Sequence, residues 1–200
     1  MPAIEIRGNA DLRKALRKFT PDLDKQLKKE LGKALRPVVR RAQSYVPAVS
    51  PMSGWQARSF SEATFPMYNA STIIRGIKYT TAVSKPNKNG FTSMARIINA
   101  SRVGAIFETA GRKNPQGQPW AGKNGSASHK YSHSNNPKAG EQFINNLPPI
   151  FSSLKGRGRL IYRAWRDSKG VAEGAAMTAI DKATREFYER NKSQRFRKAA

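Results

Sequence analysis

The sequence predicts an α+β fold: a long N-terminal amphipathic helix and a C-terminal helix packed on a small antiparallel β-sheet, with a long extended loop. Three observations predict it. Leu23, Leu27, Leu31 and Leu35 step every four residues, the spacing of one helix face. Two runs with strand chemistry, 72–83 and 91–99, flank the turn-forming stretch 84–90, "SKPNKNG". From Val171 onward, small and apolar residues return at helical spacing.

Taken in order, Ile4 and Ile6 alternate in "IEIRG" and predict a short strand. Asn9 suits a helix N-cap, with Asp11 in the first turn, where the helix dipole favours acid. Leu12, Leu16 and Phe19 follow at helical spacing. Thr20-Pro21 restarts the pattern, Thr20 as N-cap and Pro21 at the first helical position. The leucine ladder then runs on through Val38, Val39 and Ala42, giving a helix of about 25 residues that Pro37 should kink or divide. Residues 47–70 are dense in Pro, Ser and Gly and read as loop, with a short helix near Trp55–Phe60. The segments 72–83 and 91–99 form a hairpin, with Gly76 as a candidate bulge and Ile77, Tyr79, Thr81 and Val83 on one face. Residues 112–142 have no period and read as an interaction arm or a disordered segment. "LIYRAW", 160–165, suits a strand or a helical turn. A final helix starts near Val171, capped by Asp167 or Ser168, with Val171, Ala175, Ala176, Ala179, Ile180, Ala183 and Phe187 on its narrow face. Residues 191–200 read as a frayed basic tail. The whole, 1–200, reads as a single domain.

Composition sets the function classes. The chain carries 37 Lys and Arg against 13 Asp and Glu, a formal net charge of +24. The bases are spread: twelve in residues 1–46, twelve in 47–154 and thirteen in 155–200. The folded body itself is therefore basic and suited to polyanions. There is no cysteine, which excludes disulfides, thiolate chemistry and Cys-ligated metals. The first residues lack the apolar core of a secretory signal, and no run reaches the roughly 20 apolar residues of a membrane span. The expectation is a cytosolic protein with no membrane partner.

Catalytic constellations are sparse. His129 and His133, the two histidines, sit four apart in a Gly/Ser/Asn-rich loop, where solvated side chains are the simpler reading than a metal site. "GRGR", 156–159, offers Arg157 and Arg159 to phosphate on a turn, as Arg36, Arg40 and Arg41 do on the long helix. For any one of these a solvated basic surface is the simpler reading. Glu108 is the only acid between Glu62 and Glu141, inside the apolar run Ala105-Ile106-Phe107. General acid–base work needs a partner carboxylate, histidine or metal, and the sequence supplies none nearby. A buried, paired carboxylate is the better reading: a structural anchor in an ion pair with a basic side chain. The chain reads as a non-enzyme with no cofactor.

Three stretches together resemble a known family. They are "ALRPVVRRAQSYVP" (34–47), "SGWQARSF" (53–60) and "VGAIFETAGRK" (103–113). The combination is similar to the tail-completion (neck) family of long-tailed phages, which includes minor tail protein Z-like and HK97-type neck proteins. Pro37-Val38, Ala42-Gln43 and Pro47 match its first block, Ser53-Gly54, Trp55, Arg58 and Ser59 its second, and Phe107-Glu108 its third. "ETAG", 108–111, departs from the family's Glu-Phe-Gly-Thr and looks like the variant found in phages of actinobacteria. The likeness spans 1–113, and 150–190 more weakly. It implies a structural virion protein of the head–tail junction, a tail-completion or tail-terminator-type component assembled in the host bacterial cytoplasm. It implies a six-fold homo-oligomeric ring around genomic DNA. The neighbours would be the tail tube, tail terminator, tape measure and head connector or stopper proteins. Trp120 and Tyr131, in the aperiodic loop, are then candidates for contact between subunits. The charge alone carries the alternative, a non-specific nucleic-acid-binding protein with a basic folded surface.

Overall fold

The computed structural model describes residues 2–56, 65–86, 88–89, 91–122, 131–132, 134–153 and 156–199. The chain opens with strand β1 (Ala3–Asn9), helix α1 (Ala10–Phe19) and the long helix α2 (Pro21–Ser44). Helices α3 (Ser53–Gln56) and α4 (Ala70–Gly76) lead to strands β2 (Ile77–Thr80) and β3 (Phe91–Asn99). Helices α5 (Arg102–Thr109) and α6 (Ala139–Asn145) follow, then a ribbon of β4 (Phe151–Ser153) and β5 (Gly156–Gly158). The 39-residue helix α7 (Ile161–Ala199) comes last. The fold is α+β.

The main sheet is antiparallel, in the order β1-β3-β2. β3 is central, pairing Ile97 with Ile4 of β1 and with Tyr79 of β2. The β1–β3 register shifts between Ile6 and Arg7. β4 and β5 pair separately, Phe151 opposite Gly158.

α2 is built as its leucine ladder requires. Leu23, Leu27, Leu31, Leu35, Val38, Val39 and Ala42 are all buried, each large side chain stabilising the fold by about 1.5–3 kcal/mol. Pro21 occupies the first turn, where no backbone donor is needed. Thr20 does not cap with its side chain; its hydroxyl donates back to the Leu16 carbonyl at 3.4 Å. Pro37 does not end the helix, because burial of Val38, Val39 and Ala42 beyond it holds the second half in place.

α7 runs antiparallel to α2. At one end the Arg41 guanidinium donates to the Asp167 carbonyl (2.8 Å) and the Ser168 hydroxyl (2.9 Å), and the Tyr45 hydroxyl donates to the Asp167 carboxylate (2.9 Å). At the other, Arg190 pairs with Asp22 at 2.6 Å. Between them Ala172, Ala176, Ala179 and Ala183 are buried, small enough to let the helices close.

Three expectations are corrected. Residues 72–76 are helical rather than strand: Asn69 Oδ1 accepts from the Thr72 amide at 2.8 Å and starts α4. Gly76 is therefore no bulge but a close approach, where a Cβ would lie 2.7 Å from Ser101 Cβ. Next, α7 starts at Ile161, so "LIYRAW" is helical and Asp167 and Ser168 lie inside the helix. That earlier start rotates the buried face: Ala172 is inward, while Val171 is 81% exposed and Ala175 is exposed. Third, the helical backbone continues to Ala199, through the region read as tail. The segment after Arg112 also turns back on itself where it is described. Trp120 and Ser132 form a parallel bridge, and Gly117, at φ 83°, passes so close to Gly140 that a Cβ would lie 2.1 Å from its carbonyl carbon.

Ala176 is buried at the α2–α7 seam, where a larger side chain must displace its neighbours. Ala176→Leu should cost about 1–3 kcal/mol in urea unfolding, while Met177→Leu on the exposed side should stay within about 0.5 kcal/mol. Equal stability of the two variants would contradict close packing at this seam.

Candidate functional site

Glu108 sits in the last turn of α5, fully buried. Its partners are backbone amides. Oε2 accepts from the Leu160 and Ile161 N–H groups at 3.0 and 3.1 Å, and Oε1 from the Tyr162 N–H at 3.3 Å. These are the first donors of α7, which have no intrahelical acceptor. Leu160 stands where a capping Ser, Thr, Asp or Asn would ordinarily be, and it has no side-chain oxygen. A carboxylate 52 residues upstream supplies the cap and meets the positive end of the helix dipole.

Arg159 makes the reciprocal contact. Its Nη1 donates to the Phe107 carbonyl at 3.1 Å and the Ala110 carbonyl at 2.7 Å, at the C-terminal end of α5. Its Nε donates to the Pro148 carbonyl. So α5 carries the acid that caps α7, and Arg159, two residues before α7, carries the base that caps α5. The expected direct ion pair is replaced by this exchange of helix ends. Arg159, read as a DNA-facing base, is corrected: it is 3% exposed, and its Nε and Nη1 donors go to carbonyls.

Glycines make room for the carboxylate. A Cβ on Gly158 would lie 2.1 Å from Glu108 Oε1, and one on Gly156 would lie 2.1 Å from Tyr162 Cε1. The first three residues of "GRGR" are strand β5, which passes directly over the cap. The Tyr162 hydroxyl reaches the Ala3 carbonyl at 3.3 Å and ties the same turn to β1. On the other side Phe107 stacks on Trp55 (6.3 Å between ring centres, 15°). Trp55 also meets Tyr68 and Phe143 edge-on at 5.2 and 5.0 Å.

Burial pushes the Glu108 carboxyl up to about 7, against the opposing pull of the Tyr162, Ile161 and Leu160 amides and the more distant Arg159 charge. Burial likewise lowers Arg159 to about 10, with Glu108 opposing. A raised carboxyl can mark an acid catalyst. Here both oxygens are occupied by backbone, so the arrangement fixes two helix ends and leaves no atom facing a substrate.

The remaining sequence candidates are dispersed. Arg36 and Arg40 are exposed on α2. Arg41 is exposed but hydrogen-bonded to α7, and exposed Arg157 donates to the Arg112 carbonyl at 3.0 Å. Trp120 and Tyr131 are 46% and 40% exposed, and the Trp120 indole N–H donates to the Ser134 carbonyl. His129 and His133, like Arg58 and Ser59, lie outside the described residues. Among the described residues no group of three or more His, Asp or Glu could hold a metal ion, and no helix is long and apolar enough to cross a membrane. The sequence offers the basic faces of residues 12–41 as a whole to nucleic acid without singling out Lys25, Lys29 and Lys33, which are exposed on the same helix as Arg36 and Arg40; counting by four along α2 picks them out. Sequence reasoning missed Gly158, whose role has no sequence signal.

No protein-family model matches the chain, and comparisons with curated proteins and with solved structures find no match.

Glu108→Ala leaves three buried donors without an acceptor and should cost about 1–3 kcal/mol. An unchanged melting temperature would show that α7 does not depend on this cap. Gly158→Ala should destabilise through the clash alone, with Glu108 still present. The pH dependence has a defined sign. A carboxyl that titrates near 7 folded, against an ordinary 4.5, binds more protons folded than unfolded between those values. Its contribution to stability is therefore full below pH 4.5 and is lost as pH rises to about 7. Relative to Glu108→Gln, the natural protein should lose on the order of 3 kcal/mol across that window. Parallel melting curves of the two proteins from pH 4 to 8 would count against it.

Proposed function

We propose that this chain is a non-enzymatic structural protein of the neck of a long-tailed phage, a ring-forming tail-completion or terminator-type component. The observation that carries the reading is how the three family-like blocks meet. Val38 and Ala42 of the first are buried in α2, and Gln43 Nε2 donates to the Ile74 and Ile77 carbonyls at 3.2 and 3.1 Å. The Pro47 carbonyl accepts from the Tyr68 hydroxyl, Tyr68 packs on Trp55 of the second block, and Trp55 stacks on Phe107 of the third. Glu108 then fixes α7. Motifs separated in sequence thus form one connected core, as motifs of a single fold must.

The net charge of +24 supports a position around DNA. Contact with the tail tube, tape measure and connector would use the outer surfaces. A closed ring needs a head-to-tail interface, and the segment around exposed Trp120 and Tyr131 is the candidate for it. The charge supports a second reading, a free nucleic-acid-binding protein, which differs in needing no ring.

Native mass spectrometry should give a ring, six-fold in the expected assembly, and the protein should be present in purified particles. A strict monomer absent from particles would refute the proposal. Trp120→Ser with Tyr131→Ser should weaken the ring yet leave the melting temperature of the subunit within a few degrees. Full assembly of that double variant would remove the loop from the interface.

A further inference from the structure

The outer face of α2 is chemically uniform. At about 100° per residue, Lys25, Lys29, Lys33, Arg36 and Arg40 fall within an arc of about 80° opposite the buried ladder. Only Asp22 at the start and Gln43 at the end share that arc, and Asp22 is held by Arg190. All five cations are exposed. Lys33 is paired with Glu30 at 2.7 Å; among the described residues no ion pair within 4.0 Å engages Lys25, Lys29, Arg36 or Arg40. From Lys25 to Arg40 the row is about 22 Å long.

We infer that this face is a rail for the phosphodiester backbone of nucleic acid, binding without regard to base sequence. It deepens the reading above by naming the surface that would meet DNA, and rests on that reading only for the DNA being genomic. Charge complementarity selects the occupant. A B-form strand offers one phosphate per about 3.4 Å of axis, so about six lie within reach of the row. A protein partner would need apolar or aromatic anchors at the centre of the contact, and this arc has none. An amphipathic helix enters a membrane by its apolar face, and that of α2 is already buried against α7 and the sheet. The rail also selects among the arginines: Arg36 and Arg40 belong to it, while Arg41 is turned to α7 and Arg159 is buried.

The test is fluorescence anisotropy with a random-sequence duplex across a salt series. The natural protein is compared with a variant carrying Gln at Lys25, Lys29, Arg36 and Arg40. A control carries Gln at Arg75, Lys78, Lys85 and Lys88, equal in charge but off the rail. Gln keeps helix propensity at these exposed positions, and a melting curve checks each variant. The natural protein should bind at about 50 mM salt. The rail variant should lower the slope of log affinity against log salt by roughly four and weaken binding at least about tenfold more than the control. No binding by the natural protein, equal losses in both variants, or tighter binding to poly-glutamate than to duplex would each overturn the inference. A monomer that passes this test removes the ring and keeps the rail; a ring that fails it removes the rail and keeps the ring.

Discussion

The start of α7 is the constraint on which the rest of the structure depends. An α-helix needs acceptors for its first amides, and this one has no local cap. Glu108 provides them from α5, and Arg159 answers by holding the carbonyls at the end of α5. Once Ile161 is fixed, the azimuth of every later residue follows. Ala172, Ala176, Ala179 and Ala183 face α2, Asp167 and Ser168 reach Arg41 and Tyr45, and Arg190 comes level with Asp22. One buried carboxylate thus sets the register of the longest helix pair in the molecule.

The protein places its few acids with the same economy. Asp22, Glu30, Asp167, Glu173 and Glu186 each sit in a surface pair with a neighbouring Lys or Arg, and buried Asp24 pairs with Lys28. Such pairs contribute little individually, but they quiet cations along the helix flanks. On the outer arc of α2, Lys33 is paired with Glu30, while among the described residues Lys25, Lys29, Arg36 and Arg40 have no such pair. The large net charge is therefore unevenly neutralised over the surface.

Much of the fold was legible because local and global signals agree. The leucine ladder, the alternation in β1 and β3, and Pro21 all point to the elements that form. The misreadings have identifiable causes. In 72–76 the β-branched residues suggested a strand, but Asn69 three residues before Thr72 was the stronger, local helix signal. The start of α7 was misplaced because its cap lies 52 residues away, beyond any local rule. Glu108 stood out from the sequence as a lone acid in an apolar run, yet its partners are backbone amides, which no pattern of side chains reports. Arg159 read as solvent-facing because nothing local tells a buried base from an exposed one.

The antiparallel seam between α2 and α7 also bears on the order of folding. Its polar contacts join residues 122 to 168 positions apart, so they form late on a chain emerging from a ribosome. Until then the part of the α2 leucine ladder that α7 covers is open and remains sticky to other apolar surfaces. Closing the loop between Glu108 and the first turn of α7 is an entropic toll that must be met before that helix is held in place. The nascent protein is therefore most vulnerable to aggregation in the interval before its last helix arrives, and the carboxylate that starts that helix acts as the latch that ends it.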